Sequence, residues 1–201
     1  MVSLSAEIIA SGTTYKIRNL SNVSFSGQDR SDPSLPSWGI QSNSGSLELY
    51  DNDGIIDDLN RKGVLAKAIV DIYLNFGNNS ERIGRFYIDD VEKKGQNLLI
   101  NLYFSDSIAG WQDKEMPEYY FPYTNISTTL LDILNALVEK SGIQLHFSSD
   151  TESWLGSIYI SVPKIEQGSL WSQLNKICEV SSCYIYCDKN GEPNIYYGGD
   201  T

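Results

Sequence analysis

The segment Ala68-Ile69-Val70-Asp71-Ile72-Tyr73-Leu74 is the clearest strand signal in the chain, and it decides the fold of the first half. It is rich in β-branched and aromatic residues, and the turn sequence Gly77-Asn78-Asn79 ends it. Two further apolar-rich runs follow, Arg82–Val91 and Asn97–Phe104, around a turn at Lys94-Gly95. Because these strands are short and closely spaced, the sequence predicts an antiparallel sheet arranged as a barrel or a sandwich.

The same pattern extends back towards the N-terminus. Two short runs that flank Ser11-Gly12 predict a hairpin, and alternating apolar and polar residues predict two more strands after it. One short helix is predicted over Ile55–Arg61. We therefore expect residues 1–118 to form a β-barrel or sandwich domain. The additional predicted strands are Ala6–Ile9, Thr13–Ile17, Asn22–Ser26 and Ser46–Tyr50.

From Ser127 onward the apolar period becomes that of a helix. Ser127 or Thr128 is predicted to cap this helix and Gly142 to end it. A second amphipathic helix follows Ser169, and an offset of 40 residues relates it and its following strand to the first helix and strand. The sequence thus predicts an α/β domain over residues 119–201 with two helix–strand–strand units, and an α+β fold overall. Its predicted strands are Ile143–Phe147, Ser157–Val162, Cys183–Cys187 and Pro193–Tyr197, with a turn at Asp188–Gly191.

The charge balance limits the classes of partner. The 201 residues include 26 acidic and 15 basic residues, for a formal net charge of −11. A negative field of this size argues against general electrostatic binding to nucleic acid or to an anionic membrane. The sequence contains no apolar run long enough to span a bilayer and no secretory signal, so we expect a protein made and kept in the cytoplasm, without membrane insertion.

No pattern in the sequence points to catalysis or to a cofactor. The acidic loop Asp51–Asp58 fails the EF-hand pattern, because Leu49 and Asn60 would occupy two of the ligand positions. The single histidine, His146, is predicted on the polar face of a strand. We therefore predict that the chain is not an enzyme and holds no cofactor or metal. The cysteines match no zinc motif and are predicted to be buried thiols: Cys178, Cys183 and Cys187.

Aromatic residues make up 11% of the chain, and one run of them lies at the predicted domain boundary. Four of the five residues from Tyr119 to Tyr123 are aromatic, and another large aromatic residue ends a proline-rich loop. Aromatic side chains anchor many protein interfaces, so we expect these residues to contact another chain or to pack the two domains together. The candidate interface residues are Trp38, Tyr119, Tyr120, Phe121 and Tyr123.

Several segments in chain order carry a resemblance to one family. They are Ser37–Asp51, Asp53–Ile56, Ala68–Leu74, Ile83–Ile88, Asp106–Trp111, Thr129–Leu134, Gly168–Trp171 and Asp188–Gly191. Together they resemble bacteriophage tail baseplate hub and tail-tip proteins, including the N-terminal part of tail-associated lysins. The first half is similar to the β domain of those hubs and the second half to their α/β domain.

The resemblance implies a structural role in the virion tail. Hubs of this family are homotrimers that close the tail tube at its distal end and carry fibre, spike or lysin parts. Their β domains form a pseudo-sixfold ring that continues the tube. The partners it implies are further copies of the chain and other phage tail proteins, with assembly in the bacterial host cytoplasm. Hubs usually continue into a further β domain, so we expect this chain, ending at Thr201, to be a fragment or a shorter relative.

Two other classes of function compete with this interpretation. One is a carbohydrate- or protein-binding module used for host adsorption, which the abundant tyrosines would suit. The other is a domain like the small periplasmic domains of secretion channels, which the helix–strand–strand units resemble. That second class requires a signal peptide, which we do not find at the start of the sequence.

Overall fold

Two compact units, each with its own hydrophobic core, make up the structure. A computed structural model of the chain describes residues 2–17, 20–26, 39–94, 98–121, 128–161 and 164–198. The first unit takes in the residues up to Ser26 together with Ser42–Ser107 and Asp188–Gly191. The second takes in Gly39–Gln41, Ile108–Cys187 and the residues from Glu192 onward. The units alternate along the chain, whereas the sequence predicts two contiguous domains that meet at residue 118.

The helices and strands follow one another as two groups. The first group is β1 (Val2–Ala10), β2 (Thr13–Ile17), β3 (Leu20–Ser26), β4 (Gly39–Ile40), β5 (Ser44–Tyr50), α1 (Ile55–Arg61), β6 (Ile69–Phe76), β7 (Asn79–Lys94) and β8 (Leu99–Ser105). The second is a 3₁₀ helix (Ala109–Trp111), β9 (Glu115–Met116), β10 (Tyr119–Tyr120), α2 (Leu130–Ser141), β11 (His146–Phe147), α3 (Ser149–Ser157), β12 (Lys164–Ile165), β13 (Gly168–Ser169), α4 (Leu170–Ser181), β14 (Cys183–Cys187) and β15 (Pro193–Tyr197).

One seven-stranded antiparallel sheet forms the first unit, in the order β2-β1-β6-β7-β8-β5-β3. The predicted hairpin at Ser11-Gly12 is confirmed, and both residues have positive φ, as a two-residue hairpin turn requires. The outermost strands, β2 and β3, are consecutive in the chain, so Ile17 and Leu20 lie within about 11 Å of each other. The sheet must therefore curl until its two ends approach. Among the described residues no ladder pairs β2 with β3, so the barrel or sandwich remains a prediction.

Two glycines make room for the aromatic part of this core. Phe86 and Phe104 pack with ring centroids 4.8 Å apart on the inner face of the sheet. A Cβ at Gly45 would lie 2.8 Å from the Phe104 ring, and a Cβ at Gly84 would collide with the ring of Phe86. Both rings therefore occupy space that a side chain at Gly45 or Gly84 would fill.

A four-stranded sheet and two helices form the centre of the second unit. The sheet order is β11-β15-β14-β4, and the apolar faces of α2 and α4 share one core with it. The short strand β4 pairs in parallel with β14, and Asn175 on α4 accepts a hydrogen bond from the backbone N–H of Ile40 at 3.2 Å. These bonds explain why Gly39–Gln41 belongs to the second unit. The strands before and after it in the chain, β3 and β5, belong to the first unit.

The helix boundaries partly confirm the sequence analysis. Gly142 ends α2 in the left-handed conformation and Ser169 caps α4, both as predicted. The cap of α2 is Thr129, whereas the prediction of Ser127 or Thr128 was wrong. The helix begins after Thr129 because the side chains of Thr129 and Asp132 form a reciprocal capping box.

The predicted strand over Ser157–Val162 was also wrong. Helix α3 occupies Ser149–Ser157, and Tyr159 makes only a single bridge, with Thr129. The Ser148 hydroxyl accepts a hydrogen bond from the Thr151 N–H at 3.1 Å, and this local cap begins a helix between the two segments that were predicted as strands. Only the second of the two predicted units is therefore helix–strand–strand, while the first is helix–strand–helix. Residues 162–163 lie outside the described part of the chain.

Replacement of Gly45 by alanine is expected to destabilise the first unit by about 1–3 kcal/mol, because the added methyl group collides with Phe104 and the backbone of β3. The matched control is Gly110→Ala, where a Cβ meets nothing within 4 Å and the expected change is below about 0.5 kcal/mol. Urea unfolding followed by circular dichroism measures both. Equal midpoints for the two variants would contradict the packing argument.

Candidate functional site

The structure describes three of the five candidate interface residues. Trp38 and Tyr123 lie outside the described residues. The rings of Tyr119 and Phe121 pack edge to face with centroids 5.1 Å apart and contact the core of the second unit. Tyr120 points outward, with 59% of its surface exposed.

Local contacts hold this aromatic segment in place. The Lys140 ammonium group on α2 lies 3.8 Å above the centroid of the Tyr119 ring. The Tyr120 hydroxyl donates a hydrogen bond to Glu118 at 2.6 Å, and β10 pairs with β12. Within the described residues, Tyr119 and Phe121 thus serve the packing of their own unit, and Tyr120 is the residue of this segment whose ring is exposed.

A second apolar surface, which the sequence analysis missed, lies at one end of the first unit's sheet. Val2 and Leu4 of β1 lie opposite Phe76 and Leu74 of β6, on the same face as the buried core residues further along both strands. Yet Val2 is 70% exposed, Leu4 38% and Phe76 39%. We call Val2, Leu4, Leu74 and Phe76 the apolar end. Apolar side chains thus continue along the inner face of the sheet beyond the buried core.

Among the described residues, the backbone at the apolar end is paired on the β6 side only. Strand β2 covers only Ala6–Ala10 of β1, so no described strand pairs with Val2–Ser5 on the side away from β6. These four residues carry no charge and no proline, the usual devices that keep an edge strand from pairing with another chain. The alternating pattern of the run Val2–Ala6 is present in the sequence, but the exposure of its apolar side chains is seen only in the structure.

A buried carboxylate organises the outer face of the same sheet. Asp71 in β6 is 1% exposed, and Arg85 in β7 donates two hydrogen bonds to it, each 2.7 Å long. Arg82 donates a third at 3.3 Å. The hydrogen bond to Asp71 raises the pKa of Arg85 above its usual value, so the guanidinium stays charged.

A β-bulge brings the second arginine to this site. The register of β6 and β7 pairs Ile72 with Gly84 and Tyr73 with Arg82, which leaves Ile83 unpaired. Residues three apart on a regular strand point to opposite faces, and the extra residue turns Arg82 to the face of Arg85.

The arginines also hold the turn Asp188–Gly191 in the first unit. Arg82 donates from Nε to the Lys189 carbonyl at 3.0 Å and from its terminal nitrogen to the Asn190 side chain. Ser107 donates to the Gly191 carbonyl at 3.1 Å. Gly191 has a φ of 77°, and a Cβ there would lie 3.1 Å from Arg85. The sequence predicts the turn but not this anchoring role.

The acidic loop has a structural role as well. The two carboxylate oxygens of Asp51 accept hydrogen bonds from the N–H groups of Ile56 and Asp57, at 3.2 and 2.8 Å, and so cap α1. In the described part of the chain no group of three or more His, Cys, Asp or Glu side chains is placed to hold a metal ion. Burial raises the pKa of the Cys178 thiol well above its usual range, which makes it a poor nucleophile.

The described helices include none that is both long and apolar enough to cross a bilayer. His146 is exposed at the edge of the second unit's sheet, as predicted.

The fold matches solved structures of tail proteins. The 43 kDa tail protein of prophage MuSo2 from Shewanella oneidensis has a TM-score of 0.56 and 14% identity, over 95% of this chain and 52% of that one. A tail protein from Neisseria meningitidis MC58 has a TM-score of 0.55 and 12% identity, over 96% and 50%. A chain in the Francisella PdpA–VgrG complex has a TM-score of 0.52 and 15% identity, over 97% and 31%.

The likeness is one of fold. No family model matches the sequence, and neither does any curated protein. This chain spans about half the length of the two tail-protein structures. At 12–15% identity these matches establish the shared fold, on which the functional interpretation is built.

Replacement of Asp71 by asparagine is expected to cost about 3 kcal/mol of unfolding free energy, because two partly buried guanidinium groups lose their counter-charge. The matched control is Glu81→Gln, which breaks the exposed ion pair with Lys189 and should cost less than about 1 kcal/mol. Urea unfolding of the two variants compares them. A loss in the control as large as that in Asp71→Asn would show that the buried carboxylate has no special role.

Proposed function

We propose that the chain is a structural, non-enzymatic component of a bacteriophage tail, at the baseplate hub or tail tip. In this role it closes the distal end of the tail tube and attaches further tail parts. The shared fold with two proteins described as tail proteins supports the tail assignment. The observation on this chain that supports the proposal is the apolar end. Its uncharged side chains continue the inner face of the sheet beyond the buried core, and three of them are exposed.

The occupant that we propose for the apolar end is a second copy of the chain, with three copies in a ring. A stable interface buries on the order of 800 Å² per partner and is anchored by large apolar side chains. Full burial of a side chain such as Phe76 or Val2 contributes about 1.5–3 kcal/mol.

The curled sheet suits a ring. In this proposal the sheet closes between β2 and β3 into a barrel, and each barrel is one segment of the tube wall. The copies repel one another, because a trimer carries 3 × −11 = −33 formal charges. Apolar contact must therefore offset the repulsion between the copies. Salt weakens that repulsion, because the electrostatic screening length is about 10 Å at 0.1 M.

The partners and the location follow from the same role. The chain would contact other tail proteins through the aromatic surface that includes Tyr120, together with Trp38 and Tyr123. The proposed site of action is the virion tail, after assembly in the cytoplasm of the bacterial host.

Sedimentation velocity at two ionic strengths tests this proposal. We expect association towards a trimer as salt and protein concentration rise, and loss of association in a Val2→Ser, Phe76→Ser double variant. Both side chains are exposed in the single chain, so the variant should remain folded. The matched control is Val180→Ser on α4, another exposed valine, which should associate normally.

A strict monomer at high salt and high concentration would rule out self-assembly by this chain. Unchanged association of the double variant would exclude the apolar end as the interface. In that second case a Trp38→Ala variant shows whether the loop tryptophan is the anchor instead.

A further inference from the structure

Asn101 is a polar residue buried on the outer face of the first unit's sheet. It lies in β8 and is 7% exposed. Its Oδ1 is the single buried side-chain oxygen or nitrogen among the described residues that has no hydrogen-bond partner. An unsatisfied buried acceptor costs about 1–3 kcal/mol, so an amide oxygen in this position calls for a donor or a cation.

The orientation of this amide is determined by its neighbour two residues along the strand. The Tyr103 hydroxyl donates to Glu92 at 2.8 Å, so it can only accept from Asn101, whose Nδ2 lies 3.4 Å away. Rotation of the amide would place Oδ1 beside a hydroxyl whose proton is already used. The oxygen is therefore the unsatisfied atom.

Two glutamates flank this oxygen in register. Asn101 pairs with Glu48 of β5 on one side and with Glu92 of β7 on the other, and Asn22 of β3 pairs with Glu48. Directly paired residues have Cβ atoms about 4.5–5.5 Å apart and point to the same face. The three adjacent strands therefore place Glu48, Asn101 and Glu92 in one row on the outer face, with the buried amide of Asn101 in the middle.

The charges in this row are only partly balanced. The Lys94 ammonium group lies 3.3 Å from Glu48, and its side chain reaches across β8 to do so. Glu92 has no cationic partner among the residues that the structure describes. The row thus holds two carboxylates, of which Lys94 pairs with one, and the Asn101 oxygen has no partner in the described part of the chain.

We propose that Glu48, Asn101 and Glu92 bind a divalent cation that prefers oxygen ligands, with Ca²⁺ preferred over Mg²⁺. Carboxylate and amide oxygens are the ligands that Ca²⁺ takes in proteins, and two carboxylates match its charge. Ca²⁺ accepts six to eight ligands in flexible geometry, so water and Asn22 can complete the shell, whereas Mg²⁺ requires a stricter octahedron. Competition from Lys94 and the small number of carboxylates place the expected dissociation constant at about 10⁻⁴–10⁻³ M.

Terbium luminescence tests the site directly, because Tb³⁺ occupies Ca²⁺ sites and a nearby tyrosine sensitises its emission. Tyr103 touches Glu92 and is placed to do this. We expect saturable emission on Tb³⁺ titration that Ca²⁺ displaces at lower concentration than Mg²⁺. Glu48→Gln and Asn101→Val should each weaken binding at least tenfold.

Two further variants separate this site from general acidity. Lys94→Met removes the competing ammonium group and should strengthen binding several-fold. Asp53→Asn removes one charge from the exposed loop before α1 and should leave binding unchanged. If Asn101→Val unfolds, Asn101→Asp replaces it, and its third carboxylate should tighten binding. Absence of saturable emission would overturn the proposal. So would a result in which Asp53→Asn loses the emission and Glu48→Gln retains it.

Discussion

The buried Asp71 carboxylate is the interaction on which the first unit depends. A charge that is 1% exposed is tolerated only when cations and hydrogen bonds surround it, and two arginines of the adjacent strand supply them. Both arginines can reach Asp71 only in one register of β6 against β7 and with one bulged residue, Ile83. A slip of one residue would turn the arginines to the core face and leave the carboxylate unpaired. The ion cluster therefore specifies the pairing at the centre of the sheet, and through Arg82 it also holds the turn Asp188–Gly191.

The two faces of this sheet have different roles in the functional interpretation. The inner face is apolar and runs past its own core to Val2 and Phe76, where a further copy of the chain can bury it. The outer face carries polar rows, one around Asp71 and one around Asn101. In the Asp71 row, the carboxylate is paired with the two arginines of the same sheet. The Asn101 row has a surplus of oxygens, and for this reason we assign a cation to it.

The predicted aromatic interface shows that composition does not distinguish rings that pack inside a unit from rings that face outward. The run Tyr119–Tyr123, in which four residues are aromatic, predicts a contact with another chain or packing between the two domains. In the structure two of the rings complete the second unit's own core, and among the described residues of that run Tyr120 faces outward. Another exposed apolar surface, at Val2 and Phe76, consists of ordinary strand residues with no compositional signal. Exposure depends on which strands lie alongside, and composition does not report it.

The sequence by itself determined the elements whose signals are local. The Ser11-Gly12 hairpin, the strands of the first sheet, the stop of α2 at Gly142 and the cap of α4 at Ser169 follow from turn chemistry and periodicity within a few residues. Helix α3 lies mostly in a stretch, residues 148–156, for which the sequence analysis predicts no element, and a serine cap begins it. The tertiary structure alone decided the sheet order, the bulge at Ile83, the assignment of Gly39–Gln41 to the second unit and the row formed by Glu48, Asn101 and Glu92. Each of these joins residues far apart in the chain, and register is set by the total burial and charge pairing of whole strands, which no short stretch of sequence contains.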